Sequence, residues 1–388
     1  MATTRGYKFR IYPNAAQASC INRTLGCCRF VYNHFLALRR DEWNANHVSI
    51  RYEDTSRLLT EMKRREETSW LKEADAVALQ QSLRTLDKAF QNFFQKLARY
   101  PRFKSKRRHQ QSYRTMSKSG IRFDGKNHLH LPKLGNVRIR KSRDFEGRIL
   151  NATITRTASG KYFVSLCVEE DAAFAPCGKG NVGIDVGLKE FFTDSNGKTV
   201  ASPRILRKYQ RKLAREQRRL ARKMPRSRNR DKQRIRVARV HEHIGNIRRD
   251  FLQKLTTRLV SENQVIAVEH LQVKNMLRNH YLAKSISDAS WSAFFRMLGY
   301  KAAWRGASIK IPSRRICPSA TGRVPSAGRT TTATRTLRRT SSPEPWSRLT
   351  ETIEHTAGHT EIHAWGDRVS RSGYGWNAVV SEPRIPCL

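Results

Sequence analysis

The 388-residue sequence has few acidic residues, no CxxC motif and no long apolar segment. Its seven cysteines form no CxxC pair, so neither a zinc ribbon nor a disulfide framework is predicted, and we expect reduced thiols. No apolar run approaches the roughly 20 residues that span a bilayer. The first residues, MATTR, contain no signal-peptide core. These absences predict a cytoplasmic protein without a membrane partner.

Basic residues dominate the composition. Lys and Arg number 76 against 32 Asp and Glu, which gives a formal net charge of +44 and a pI near 11.0. So much charge of one sign repels itself unless a polyanion neutralises it. DNA or RNA is therefore the predicted partner, with strongly salt-dependent binding. A hydrophobic content of 38% permits two or three domains with their own cores.

The amino-terminal half predicts a small sheet with a helical module inserted in it. Residues 5–12 alternate large apolar with basic side chains, which predicts a strand with one cationic face. Residues 16–98 carry apolar positions at helical spacing, which predicts a helical module whose aromatic residues are core. Short alternating runs in residues 99–171 predict the rest of a small β-barrel or antiparallel sheet that begins in residues 1–15.

Two further features point to nucleic acid. Phe103 and Tyr113 lie among basic strand residues, which favours a nucleic-acid platform over a solvated strand face. Residues 202–260 predict two antiparallel helices with a break between 225 and 229. The charges of these helices could face solvent, but nearly all have one sign, which favours a phosphate backbone as their neighbour.

Two short apolar runs each end in a carboxylate. Asp185 follows Val182-Gly-Ile184, and Glu269 follows Val265-Ile-Ala-Val268. Buried strands that deliver an Asp and a Glu to one sheet edge are typical of divalent-metal nucleases, which hold Mg²⁺ over a phosphodiester. A third carboxylate normally completes such a site, and none is evident. The alternative is that Asp185 caps a turn and Glu269 caps the following helix.

These strands and the helical pair between them resemble the RNase H/RuvC arrangement, in which acidic residues from separate segments share two metal ions. The first four-fifths of the chain resembles the TnpB/OrfB family of insertion-sequence proteins, often called transposases. The matching segments follow the family's order: Lys8–Pro13 with Gln17, Arg29–Asn33, Leu83–Phe94, Pro101–Lys106, Gly183–Gly187, Ala267–Leu271 and Leu282–Tyr300.

The resemblance implies a compact RNA-guided DNA endonuclease, linked to DNA transposition and related to type V CRISPR effectors. Its fold would be mixed α/β and multidomain: a small β-barrel with an inserted helical module, then a RuvC-like domain over residues 180–312 with a long basic helical hairpin. Asp185 and Glu269 would be catalytic Mg²⁺ ligands, and a monomer would hold guide RNA and target DNA. The residues expected to contact nucleic acid are Lys8, Arg10, Arg29, Tyr32, Asn33, Arg102, Lys104, Lys106, Lys208, Lys212 and Arg215.

The carboxyl-terminal residues depart from the family, which continues with a zinc ribbon and a segment carrying the third metal-binding Asp. Cys317 resembles a remnant of the ribbon, after which the pattern is lost. Read in a shifted frame, the codons of residues 324–342 can encode family-like segments, with the missing Asp under Thr334. We therefore expect residues 313–388 to be an aberrant, poorly ordered tail, zinc to be absent and cleavage to be impaired.

Other functions remain open at this stage, and whether the chain is an active enzyme is among the open questions. A non-catalytic, repressor-like protein could use the same RNA-binding and DNA-binding surfaces, and a ribosomal-type RNA-binding protein would not need the paired carboxylates. The i, i+4, i+8 spacing of His355, His359 and His363 could form a metal site on a helix, although Gly358 disfavours that helix.

Overall fold

The computed structural model describes residues 3–106, 111–117, 120–125, 127–171, 176–269 and 271–311. These residues form two compact units. The first contains the described residues from 3 to 171 together with residues 215–242, and the second contains residues 176–214 and 243–311. Each unit contains both helices and a sheet, so the predicted mixed class is confirmed. None of the helices in this part of the chain is long and apolar enough to cross a membrane.

The sheet of the first unit has seven strands in the order β2-β6-β7-β1-β5-β4-β3. Every strand pair in it is antiparallel. The strands are β1 (Thr3–Tyr12), β2 (Gln111–Met116), β3 (Arg122–Asp124), β4 (His128–Leu131), β5 (Gly135–Arg140), β6 (Arg148–Arg156) and β7 (Tyr162–Glu170). Within the described residues the strand order is open, with β2 and β3 at its edges, which agrees with the antiparallel sheet that the sequence predicted as the alternative to a small barrel.

Alternation along β1 gives this sheet one apolar and one cationic face. Tyr7, Phe9 and Ile11 are buried in the core, whereas Lys8 between them is exposed. Successive side chains of a strand point to opposite faces, so the alternation read from the sequence places the basic residues together on the face away from the core.

The helical module lies between β1 and β2 in the sequence. It contains α1 (Ala15–Asn46), α2 (Tyr52–Arg64), a 3-10 helix (Glu66–Glu73) and α3 (Ala76–Phe94). A capping box starts α1: Gln17 N donates to Asn14 Oδ1 at 2.8 Å, and Asn14 N donates to Gln17 Oε1 at 3.1 Å. The prediction that the aromatic residues are core is right for Phe35 and Phe90 and wrong for Phe94, which is exposed.

The second unit has a five-stranded sheet in the order β10-β9-β8-β11-β12. Its strands are β8 (Gly180–Val186), β9 (Glu190–Asp194), β10 (Thr199–Ala201), β11 (Asn263–Val268) and β12 (Ser308–Lys310). β8 pairs antiparallel with β9 and parallel with β11, and β12 pairs parallel with β11. A parallel pair requires a crossover, and the long helices between β10 and β11 supply it.

The helices of this part of the chain are α4 (Ile205–Ala221), α5 (Arg228–Glu262), α6 (Val273–Met276), α7 (Ala283–Ala289) and α8 (Trp291–Arg305). Alternate residues of the sheet, including Val182, Ile184, Ile266 and Val268, share a hydrophobic core with α5 and α8. The intervening residues of the strands therefore lie on the opposite face of the sheet.

Candidate metal and nucleic-acid sites

Asp185 lies on β8, and Glu269 directly follows the neighbouring strand β11, at one edge of the second sheet. The parallel register pairs Val268, the last residue of β11, with Ile184 of β8, so Glu269 and Asp185 are the next residues on the two chain segments. Neighbouring strands lie about 4.8 Å apart, and residues paired in register project to the same face. Both residues are exposed. The strand register thus predicts that the two carboxylates singled out in the sequence follow paired residues of adjacent strands.

The neighbours of these carboxylates are small or polar. Thr193 of β9 pairs with Asp185 on its other side. Gly183 N donates to Ser195 Oγ at 3.2 Å, and Ser195 N donates to Gly183 O at 2.9 Å, which fixes β8 just before Asp185. Glu269 does not cap the following helix, because α6 begins at Val273 after Gln272.

The pair of carboxylates offers oxygen ligands of the kind that Mg²⁺ prefers. Mg²⁺ is commonly bound by one or two carboxylates together with water molecules, so the two side chains suit one ion. Nowhere in the described ranges do three or more His, Cys, Asp or Glu side chains form a group that could hold a metal. Cys317, Thr334 and the histidines at 355, 359 and 363 lie outside the described residues.

A series of cations and rings crosses the outer face of the first sheet. Lys8 Nζ lies 4.7 Å from the centre of the Phe163 ring, and Arg10 Cζ lies 5.4 Å from the same ring. Arg10 Cζ also lies 5.2 Å from the Tyr12 ring, which Arg138 approaches to 6.0 Å. We call these residues, together with Arg140, which pairs with Arg10, the cationic sheet face. Cation–π contacts at these distances hold the charged groups in place.

The sequence identified Lys8 and Arg10 but missed Phe163 and Arg138. Phe163 is opposite Arg10 on β7, and Arg138 is opposite Tyr12 on β5. Both partners come from more than 120 residues further along the chain, so only the strand register reveals them. The alternation of apolar and polar side chains along each strand predicts which residues share a face. It does not predict which strands are neighbours.

Two of the predicted nucleic-acid contacts hold a basic loop in place. Asn33 Nδ2 donates to Lys104 O at 2.9 Å, and Lys104 N donates to Asn33 Oδ1 at 2.7 Å. Lys104 Nζ lies 3.8 Å from the centre of the Tyr32 ring. Tyr32 is only 5% exposed, so its ring lies behind the loop rather than on the surface. Arg102 and Lys106 of this loop are exposed.

Tyr113 corrects the predicted aromatic platform. It is 6% exposed and belongs to the hydrophobic core of the first unit, so it cannot stack on a base. Burial raises its pKa. Phe103 is exposed, with Arg40 Cζ 5.6 Å from its ring centre. Arg29 is half-buried.

The outer side of α4 is cationic. Lys208, Lys212 and Arg215 are exposed at a spacing of four and three residues, which places them along one side of the helix. Glu216 is the only acidic residue of α4 and is buried, accepting a hydrogen bond from Gln233 Nε2 at 2.7 Å. That bond, with the nearby arginines, lowers the pKa of Glu216.

Two carboxylates at a sheet edge and extensive cationic surfaces are typical of basic α/β proteins that process nucleic acids. A family model described as "Probable transposase" matches residues 165–280, and one described as "Helix-turn-helix domain" matches residues 1–47. A "Putative RNA-guided DNA endonuclease" of Streptomyces pristinaespiralis is 40% identical over 321 residues, which cover 81% of this chain and 79% of the relative. The "Putative RNA-guided DNA endonuclease InsQ" of Escherichia coli K12 is 35% identical over 326 residues, which cover 80% of each chain.

The chain therefore belongs to the TnpB/OrfB family, and the resemblance found in the sequence is confirmed. A solved chain in a "Cas12f1-sgRNA-target DNA complex" is similar with a TM-score of 0.41 and 9% identity, covering 80% of this chain and 89% of that one. That likeness is distant, and the family assignment rests on the sequence relatives.

The helix-turn-helix description does not fit residues 3–47. These residues form strand β1 and then α1, a single continuous helix of 32 residues. The match therefore identifies the family rather than a helix-turn-helix, because a second helix joined by a short turn is absent from this stretch.

Proposed function

We propose that this chain is a nucleic-acid-binding TnpB-type protein whose RuvC-like nuclease domain, residues 180–312, is impaired in cleavage as the sequence stands. The observation that supports this proposal is the register that pairs Val268 of β11 with Ile184 of β8, since Glu269 and Asp185 are the residues that follow this pair. The two residues are 84 positions apart in the sequence, and a capping role for either would not require them to be neighbours.

The order of the strands supports a RuvC-like domain. β8 is flanked by an antiparallel strand that follows it directly and by a parallel strand that follows the long helices. Asp185 on β8 and Glu269 just after β11 consequently fall outside the apolar face that packs on α5 and α8. A strand of nucleic acid could approach this exposed edge.

In this proposal Asp185 and Glu269 hold Mg²⁺. The metal, when bound, supplies a Lewis acid for the phosphate and makes a bound water a stronger nucleophile. The hydrogen bonds between Gly183 and Ser195 keep Asp185 in position. When several metal ligands act as a unit, the loss of one ligand removes most of the enzyme's activity. A site without its third carboxylate should therefore bind metal weakly and cleave DNA poorly.

The cationic surfaces would hold guide RNA and target DNA. The cationic sheet face and the loop at residues 101–106 belong to the first unit, and the exposed cations of α4 add a further stripe. Cations held in place by ring contacts suit a phosphate backbone, which carries no sequence information. We assign residues 1–15 and 99–171, with the helical module of residues 16–98, to this binding role.

A cleavage assay with the associated guide RNA, matched DNA and Mg²⁺ tests the proposal. The chain as written should bind the RNA but cut little or no DNA. A version with the reading frame restored over residues 312–350 should cut, and Asp185→Ala in that version should abolish cutting. Cutting by the restored version that survives Asp185→Ala would overturn the assignment of the site.

The alternative is a non-catalytic protein that occupies guide-matched DNA. The observation in its favour is that no three or more His, Cys, Asp or Glu side chains of the described residues form a group that could hold a metal. This function predicts guide-dependent DNA binding that is unaffected by Asp185→Ala. Failure of the restored version to cut, with binding retained, would favour this alternative.

A further inference from the structure

Apolar side chains are exposed together at the carboxyl-terminal end of α3. Phe94 is 71% exposed, Leu97 is 53% exposed and Tyr100 is 42% exposed. We call these residues, with Phe93, the α3 patch. Single exposed apolar residues are ordinary, but a contiguous group surrounded by polar residues marks a site of interaction.

The rings of the α3 patch contact one another and are anchored in the core. The Phe93 ring lies 5.4 Å from Phe94 and 5.3 Å from Tyr100, measured between ring centres. Phe90, which is buried, lies 5.6 Å from Tyr100 and 6.3 Å from Phe94. The patch is therefore a supported apolar surface rather than a set of independent side chains.

The backbone after α3 fixes the patch in one arrangement. Lys96 has a left-handed backbone with a φ of 57°, and its N donates to Phe93 O at 2.9 Å. The N atoms of Leu97 and Ala98 both donate to Asn92 O, at 2.8 and 3.0 Å. Bonds of this kind satisfy the last carbonyls of a helix and hold the turn that follows. A rigid platform loses little conformational entropy when it binds a ligand.

The segment that carries the α3 patch is cationic, and the nearby acidic residues Asp87 and Asp41 are paired with Arg39 and Arg40. Residues 88–106 contain no Asp or Glu, and the exposed cations among them include Lys88, Lys96, Arg99 and Arg102. A second copy of this chain would bring the same cations against them and be repelled. A nucleic-acid strand fits both features, because its phosphates match the cations and its bases have flat apolar faces.

We propose that the α3 patch is a stacking platform for unpaired bases of single-stranded DNA. The proposal rests on the proposed function, because opening a DNA duplex for guide pairing leaves one strand unpaired. Stacking of this type is tolerant of sequence and, by alanine substitution, changes affinity about 5-fold to 150-fold per base. The cationic sheet face would hold phosphates, whereas the α3 patch would hold bases.

The test compares a short oligothymidine with an abasic strand of the same length, which has the same phosphates but no bases. Wild-type protein should bind oligothymidine more tightly than the abasic strand. Phe94→Ala should weaken oligothymidine binding at least about 5-fold and leave abasic binding unchanged. Tyr100→Phe should behave as wild type. Phe94 is mostly exposed, so its truncation should leave the thermal midpoint of unfolding unchanged.

Trp70→Ala is the matched control, because Trp70 is an exposed aromatic of the same helical module but lies on the 3-10 helix beside Glu66 and Glu67. It should leave both affinities unchanged. The proposal is overturned if Phe94→Ala binds oligothymidine like wild type, or if it weakens both strands equally. Weakening confined to oligouridine would assign the patch to RNA instead, and a wild-type dimer lost in Phe94→Ala would assign it to self-association.

These outcomes are separate from those of the proposed function. If the α3 patch does not bind bases, salt-dependent binding of nucleic acid and metal binding at Asp185 and Glu269 remain as proposed. Conversely, loss of the metal site would not remove the difference between oligothymidine and the abasic strand.

Discussion

The cationic sheet face should account for a measurable part of the salt dependence of DNA binding. Each cation that neutralises a phosphate of duplex DNA contributes about 0.9 to the slope of log affinity against log salt concentration. Four cations lie on this face: Lys8, Arg10, Arg138 and Arg140. Replacing all four with Gln should therefore lower the slope by up to about 3.6.

This change in slope corresponds to a large difference in affinity. Between about 50 and 200 mM salt, the wild type should lose up to about 150-fold more affinity than the variant with four Gln substitutions. Fluorescence anisotropy with a labelled duplex over a series of salt concentrations measures both slopes. The buried residues Tyr7, Phe9 and Ile11 of β1 are unchanged in this variant, so the sheet should remain folded.

A control variant separates a local effect from the loss of net charge. Arg57, Lys63, Arg64 and Lys72 carry the same total charge but lie in or beside α2 and the 3-10 helix, where acidic residues are frequent. Replacing these four with Gln should change the slope by less than about 1. Equal effects of the two variants would refute the assignment of a phosphate-binding role to the cationic sheet face.

Two further predictions concern the second unit. Burial, with a smaller contribution from Arg305, lowers the pKa of Lys301 from its usual 10.5 to about 8, although its ammonium donates three hydrogen bonds to α5. The folded chain loses this proton before the unfolded chain does, so the free energy of unfolding should rise by up to about 3 kcal/mol between about pH 8 and 10.5. Lys301→Met should remove that rise in urea unfolding. Asp288 accepts hydrogen bonds from Leu206 N at 3.0 Å and from Arg248 Nη2 at 2.9 Å, and the side chains of Asp288 and Arg248 are mostly buried. Asp288→Asn should therefore lower the free energy of unfolding by about 3 kcal/mol in the same assay. A double variant with Arg248→Met should recover part of that loss, and a loss below about 1 kcal/mol would show that the pair contributes little.

The strand pattern of the sequence was sufficient to predict that Asp185 and Glu269 each stand at the end of a buried strand. Val182 and Ile184, like Ile266 and Val268, are apolar residues that alternate up to a carboxylate, and strands of that type must be buried side by side. The relative register of β8 and β11 could not be predicted, because it depends on packing between segments far apart in the sequence.

The predictions were wrong for residues whose side chain had to be assigned to the buried or the exposed side of a strand or helix. Tyr113 alternates with Ser112 and Arg114 on β2, but six residues do not reveal which face is covered. Tyr32 lies on the buried stripe of α1 with Cys28 and Phe35, and this helical spacing in the sequence indicates a core residue. Phe94 continues the apolar spacing of α3 but lies at its last residue, where the core no longer covers it.

The central claim is that Asp185 and Glu269 bind the same metal ion. Mn²⁺ titration by calorimetry of the wild type, Asp185→Asn, Glu269→Gln and the double variant tests it, with Asp250→Asn as a control because Asp250 is exposed and paired with Lys254. We predict that each single variant loses the same site, that the double variant loses no more, and that the control keeps it. Independent effects of the two single variants that add in the double variant would contradict a shared site.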